Sequence, residues 1–297
     1  MRERVTVARP RLEGQITVRG DRRLGFASFG TPHGRPVFWF HGTPGARRQI
    51  PVEARALADE HDLRIIGIDR PGIGWSTAHV YDDVLDWTRD LEIVADTLGV
   101  GQFHAIGLSG GGPYALSTSA AMPDRVLGIE VLGGVAPTVG PDAVSGGAVG
   151  LARPLAPLVG VGRLPLSFAL TNAIRVVRPF AGAGLDLYRV AQPAGDRRVL
   201  GRPEFKAMFL DDLVNGSRKQ ISAPLADLLL FTRHWGFELG DVTAPVRWWH
   251  GDADHIVPWR HGEHCVSRLP HAELLTLEGE SHLIGMAMVE DILERLL

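Results

Sequence analysis

The pentapeptide Gly107-Leu108-Ser109-Gly110-Gly111 stands between the apolar run FHAIGL and the helix-like stretch GGPYALSTSAA. Small residues on both sides of a serine permit the strained turn of a nucleophile elbow, in which a strand, a very tight turn and a helix follow one another. A serine hydroxyl is a poor nucleophile near neutral pH, so it needs a neighbouring base, and that base needs an orienting partner. Both are on offer in the C-terminal third. After the run VRWW comes His250-Gly251-Asp252-Ala253-Asp254-His255-Ile256-Val257-Pro258, and after the run ELLTL comes Glu278-Gly279-Glu280-Ser281-His282. The C-terminal ends of parallel strands share one edge of a sheet, so Ser109, Asp254 and His282 are expected to meet there. His282 would then act as general base and Asp254 as the acid that orients it. Along the chain they stand in the order Ser, Asp, His.

For that meeting the chain must alternate strands with helices. Short β-branched or aromatic runs predict strands at 15–18, 24–29, 37–40, 64–69, 102–108, 126–132, 246–249 and 273–277. Helical patterns fill 49–60, 85–98, 111–121, 259–268 and 283–297. The runs VFWF, RIIGID and FHAIGL are apolar throughout rather than alternating, as parallel strands covered on both faces should be. The fold class is therefore α/β. Residues 136–240 break the rhythm: they show no convincing strand and begin rich in Gly, Pro, Ala and Val. They are expected to form a helical cap inserted into a core made of residues 1–135 and 241–297. Its stretch from Gly146 to Leu170 is strongly apolar and is expected to wall a substrate pocket.

Composition bounds the rest. The 297 residues are 45% hydrophobic and 22% charged, an ordinary globular balance, and the formal net charge of −3 draws the chain toward neither nucleic acid nor an anionic surface. Within residues 136–240, twelve Arg or Lys face eight Asp or Glu, so the insertion is net positive. The single cysteine, Cys265, rules out an intrachain disulfide and a cysteine-only zinc site, and a cytoplasmic location is expected. The opening MRERVTVARPRL lacks the apolar stretch of about 7–15 residues that a secretory signal carries. No run of about 18 uninterrupted apolar residues occurs, so no integral membrane segment is expected either.

Four motifs together resemble the α/β-hydrolase superfamily: HGTPG at 41–45, DRPGIGWS at 69–76, GLSGGG at 107–112, and GDADHIVP at 251–258 paired with GESH at 279–282. The resemblance implies an α/β-hydrolase fold with a mostly parallel eight-stranded sheet flanked by helices, and an acyl-enzyme mechanism without cofactor. It makes Asp254, three residues after Gly251, the acid, and leaves Asp252 to support the turn. It also implies an oxyanion hole at the loop after the strand VFWF. Pro44 has no N–H, so Thr43 is the expected donor, partnered by the amide of Gly110, with Gly42 as the fallback. His41 is expected to be a buried histidine that orders this loop.

Ester cleavage of a small, largely apolar substrate is the first expectation, because it needs nothing beyond this machinery. HG-x-P-G loops are also similar to those of proline iminopeptidases and C–C bond hydrolases, and a non-catalytic receptor on the same fold stays open. An aminopeptidase would need acidic residues in the cap, which its positive balance opposes. The His/Asp-rich stretch 250–264, with His261 and His264 three apart, offers a permissible ligand spacing, but no metal is expected. The glycines of GIG and GGG make no dinucleotide fingerprint, and no cofactor is expected. The expected partner is a small-molecule substrate, and a homodimer stays open.

Overall fold

The structure is a computed structural model and describes residue 5 and residues 7–296. Eight strands form one sheet: β1 (Leu12–Thr17), β2 (Arg23–Gly30), β3 (Arg35–Phe40), β4 (Leu63–Ile68), β5 (Phe103–Leu108), β6 (Val126–Leu132), β7 (Val246–Gly251) and β8 (Ala272–Leu277). Their order is β1-β2-β4-β3-β5-β6-β7-β8. β1 pairs antiparallel with β2 and β2 with β4, and every later pair is parallel. All eight expected strands are present, each within a few residues of its reading from sequence.

The helices are α1 (Val52–Glu60), α2 (Trp87–Thr97), α3 (Gly112–Ala121), α4 (Gly147–Ala152), α5 (Ala156–Val177), α6 (Ala181–Val190), α7 (Ala194–Leu200), α8 (Pro203–Gly216), α9 (Ala223–Phe231), α10 (Trp259–Arg268), α11 (Ile284–Ala287) and α12 (Val289–Glu294). The helix expected at 49–60 starts later, because Pro51 is its N-cap and residues 46–50 are held as loop. That expected at 283–297 is two short helices, and Leu297 lies outside the described residues. Residues 136–240 contribute α4 to α9 between β6 and β7, with Ile221 making a single bridge to Ile73. By length and composition alone the segment Gly147–Val190 is apolar enough to cross a membrane, although no 18 apolar residues run uninterrupted within it.

Uniform apolarity in the central strands has a direct consequence for packing. Phe38, Phe40, Ile66, Ala105, Val131 and Trp248 face one core, which α2, α3 and α10 close with Trp87, Leu91, Tyr114 and Cys265. Val37, Trp39, Ile65, Ile106, Leu132 and Trp249 face the other, which α1 and α12 close with Ala54, Ala58, Val289 and Ile292. Each fully buried Val, Leu, Ile or Phe among them contributes about 1.5–3 kcal/mol. Burial on both faces holds the strand ends at one edge in register, and that edge carries the candidate chemistry.

Between β5 and α3 the chain turns through Ser109–Gly111 as a single 3-10 turn, with Ser109 at φ +51°. A side chain here would collide with its surroundings. A Cβ on Gly111 would lie 2.1 Å from the Phe40 carbonyl oxygen, and one on Gly107 would lie 2.7 Å from the Gly111 oxygen. Backbone atoms at the end of β3 cannot swing aside as a side chain would. Gly111→Ala is therefore expected to lower stability by about 3 kcal/mol or more, the upper end for overpacking. A thermal melt within a degree or two of the parent would contradict this account of the turn.

Candidate active site

Ser109, at the end of β5, His282, in the loop after β8, and Asp254, in the loop after β7, come together at the sheet edge. Ser109 Oγ lies 3.0 Å from His282 Nε2, and His282 Nδ1 lies 2.6 Å from Asp254 Oδ2. The other carboxylate oxygen of Asp254 accepts the N–H groups of Ile256 and Val257 at 2.8 and 2.9 Å. Burial opposes charge on Asp254, but hydrogen bonds from His250, His282 and the Val257 amide outweigh it and hold the carboxyl well below its usual range. An ionised Asp254 keeps the proton of His282 on Nδ1 and leaves the Nε2 lone pair facing the serine hydroxyl.

Asp252, two residues away, is exposed and accepts the Gly279 N–H at 2.7 Å, tying the loop after β7 to the turn after β8. In the sequence His250 stands out only as part of a His/Asp-rich stretch. Its Nε2 lies 3.3 Å from Asp254 Oδ2 and 2.9 Å from the Val257 oxygen, while Nδ1 accepts the Trp248 indole N–H at 3.1 Å. It therefore props the carboxylate from behind. Asp196, from α7, is buried and braces His282: it accepts the Ser281 hydroxyl at 3.1 Å and the Leu283 N–H at 2.9 Å.

On the other side of Ser109 lies the loop 41–45. Gln49 Oε1 accepts the Gly42 N–H at 2.6 Å, which removes the fallback donor. Thr43 and Gly110 remain beside Ser109 on the wall of one cavity, so close that a Cβ on Gly110 would lie 2.4 Å from Thr43 Oγ1. Beneath the loop is a buried set of charges. Arg70 donates to the carbonyls of His41 and Gly42, to Thr43 Oγ1 at 2.8 Å and to Asp227 at 2.7 Å. Asp227, from α9, also accepts from Thr43 Oγ1 at 2.6 Å and from the Tyr114 hydroxyl at 2.9 Å. Burial and the Arg70 charge push the His41 imidazole well below its ordinary value, so it stays neutral. Its Nδ1 meets the Gly42 oxygen at 2.8 Å and its Nε2 accepts the Arg70 N–H at 3.3 Å, which occupies it in the loop itself.

The sequence by itself gives Arg70 and Asp227 no role. Arg70 was visible only as part of DRPGIGWS, and a lone acid within the apolar stretch PLADLLLF is the mark of a buried, paired charge. Asp196 sits in an ordinary polar helix and carried no such mark.

The cavity at Ser109 measures about 270 Å³. Its apolar wall comes from Val135, Val149, Leu228, Phe231, Ile256 and Val257, and no carboxylate lines it. The expected wall from Gly146 to Leu170 is corrected: of its large side chains only Val149 reaches the cavity. Leu151, Leu155, Leu158, Val161, Leu164, Leu166 and Phe168 are exposed, because α5 buries Thr171 alone and α9 already occupies the inner position. His261 and His264 turn their Nε2 atoms to the backbone oxygens of Ser145 and Asp142, at 3.1 and 2.9 Å. Among the described residues no group of three or more His, Cys, Asp or Glu is arranged to hold a metal ion.

Residues 35–152 match the family model of the alpha/beta hydrolase fold. A probable proline iminopeptidase from Leptolyngbya boryana is 31% identical over 136 residues, covering 45% of this chain and 42% of the relative. The chain thus spans less than half the length of the curated relatives it matches. Solved structures align over nearly the whole chain. A thermophilic esterase from Thermogutta terrifontis has a TM-score of 0.63 at 22% identity over 96% of each chain. A bromoperoxidase from Bacillus anthracis has a TM-score of 0.67 at 20% identity, over 96% of this chain and 98% of its own. The strand order, the turn at Ser109, the match over residues 35–152 and the structural alignments agree that the chain has the α/β-hydrolase fold.

Proposed function

We propose that this chain is a serine hydrolase that cleaves a carboxylic ester of a small, largely apolar substrate. The observation that carries the reading is the continuous Asp254–His282–Ser109 hydrogen-bond chain, which ends at an apolar cavity without carboxylates. In this reading Ser109 Oγ attacks the ester carbonyl while its proton passes to His282 Nε2. The Thr43 and Gly110 amides take up the charge on the tetrahedral oxygen, and Asp254 stabilises the imidazolium. Collapse expels the alcohol, which leaves with the proton from His282, and water then attacks the acyl-enzyme by the same route. Residues 136–240 serve as a cap, with α4 and α9 closing the acyl side of the cavity.

The names of the curated relatives favour a second reading, an aminopeptidase of the proline iminopeptidase kind. Such an enzyme must hold a substrate ammonium, and the cavity has no acid with which to do so.

A fluorophosphonate probe is expected to label Ser109, and Ser109→Ala to abolish labelling; unchanged labelling of the variant would remove Ser109 as nucleophile, and an unlabelled parent would leave a binding protein. Asp254→Asn is expected to lower kcat by about 10⁴-fold, the scale for a triad carboxylate held at the wrong tautomer. Asp252→Asn should stay within about tenfold of the parent, since its contact is with a turn amide; the opposite ranking, in variants folded by circular dichroism, would shift the acid by two residues. Across p-nitrophenyl acetate, butyrate and hexanoate, kcat/KM is expected to climb about fourfold per added methylene until the cavity is full. Acetate as the best ester would contradict the apolar acyl site, and prolyl naphthylamide as the best substrate of all would transfer the protein to the second reading.

A further inference from the structure

α4, α5 and α6 present a surface that the fold leaves uncovered. Leu158, Val161, Leu164, Phe168, Val176 and Leu187 are each at least 70% exposed. In the most apolar 18-residue window of Gly147–Val190 only 6% of residues are buried. On α5 only Thr171 is buried; Val159, Arg163, Ser167, Leu170 and Ile174 are among its half-buried residues, and thirteen of its 22 positions are exposed. Contiguous apolar patches on this scale mark an interaction surface.

Charge identifies what the surface meets. Residues 147–190 hold five arginines and one aspartate, a net +4 in a chain whose total is −3. The aspartate, Asp186, is already paired with Lys206 at 2.6 Å. Beside the exposed Leu164 and Phe168 lies a second cavity of about 290 Å³, lined by Arg163, Arg175 and Lys219 and by no carboxylate. Apolar side chains flanking a pocket of cations match acyl chains beneath phosphate headgroups. We propose that the α4–α6 surface docks on an anionic phospholipid bilayer, with its leucine, valine and phenylalanine side chains in the acyl boundary and lipid phosphates at Arg163, Arg175 and Lys219.

The geometry is that of a segment lying on the bilayer. Crossing takes about 20 consecutive apolar residues, whereas the longest charge-free stretch here, 164–174, is eleven residues long. Arginines at 153, 163, 175, 178 and 189 suit an interfacial helix whose cations stay at headgroup level. A two-fold contact between copies would instead oppose one +4 surface to another, because such an interface pairs the same patch with itself. On α4 the two environments are back to back: Ala148, Val149 and Ala152 line the Ser109 cavity, while Leu151 is exposed.

Flotation of the full chain with vesicles tests the proposal without reference to turnover, and Ser109→Ala should float as the parent does. The chain is expected to rise with vesicles of phosphatidylglycerol and phosphatidylcholine in equal parts, and at least tenfold more weakly with phosphatidylcholine alone. Leu158→Asp combined with Val161→Asp should abolish flotation while leaving the melting curve and the turnover of a short soluble ester unchanged. Arg163→Gln combined with Arg175→Gln should weaken anionic vesicle binding about 25-fold, at about fivefold per cation. A parent chain that stays with the dense fraction overturns the proposal, as does equal flotation of the arginine variant. So does a dimer in sedimentation equilibrium that the Leu158→Asp, Val161→Asp variant dissociates, since the surface would then belong to a second copy.

Discussion

A non-glycine residue held at φ +51° costs about 1–3 kcal/mol, and one 3-10 turn has too few hydrogen bonds to offset it. What keeps Ser109 in that conformation is the packing around it. Gly107 and Gly111 let β5, the end of β3 and the start of α3 approach to distances that no side chain would permit. Every residue from Gly112 to Ser119 is buried. The sheet holds the serine hydroxyl outward at its edge, and the distance to His282 and the position of the Gly110 amide follow from that. Loosening the turn would move all three together.

Two carboxylates from the helical insertion brace this arrangement from opposite sides. Asp227 reaches under Thr43 and joins Arg70, and Asp196 reaches under His282. A buried ion pair such as Arg70–Asp227 adds little net stability, but removing one member strands a charge in the interior. Its value lies in geometry. Arg70 engages two backbone oxygens, a hydroxyl and a carboxylate at once, so the loop 41–45 has one position that satisfies them all. Insertion and core are thereby coupled through charges, although the insertion's own apolar residues mostly face away.

That outward surface is the least ordinary feature of the molecule. A soluble helix normally turns one apolar stripe to the core and the rest to water. α5 is apolar on nearly every side, yet it has only one side to bury, and α9 and the sheet edge fill the space beneath. The remaining apolar area has no counterpart within the described residues. Its arginines and the cation-lined cavity give it a chemical direction that apolarity alone would lack.

Much of this was legible along the chain because it is local. Continuous apolar runs specify strands covered on both faces, and all eight are found where VFWF, FHAIGL and similar runs predict them. The spacing of GLSGG, GDAD and GESH after three such runs suffices to bring Ser109, Asp254 and His282 to one edge. Once the resemblance implies an oxyanion hole after VFWF, the missing N–H of Pro44 narrows its amide donors to Thr43 or Gly42 beside Gly110. What the chain does not disclose is any pairing between segments with no shared period or motif. That Gln49 takes the Gly42 amide, that Asp227 and Asp196 reach their partners across 184 and 85 residues, and that His250 backs Asp254 are decided by packing. The direction of the residues in 146–170 belongs to the same class. A helix that is apolar all round carries no periodicity to say which side is inside, so only the neighbours that fill the inner position determine that its leucines face out.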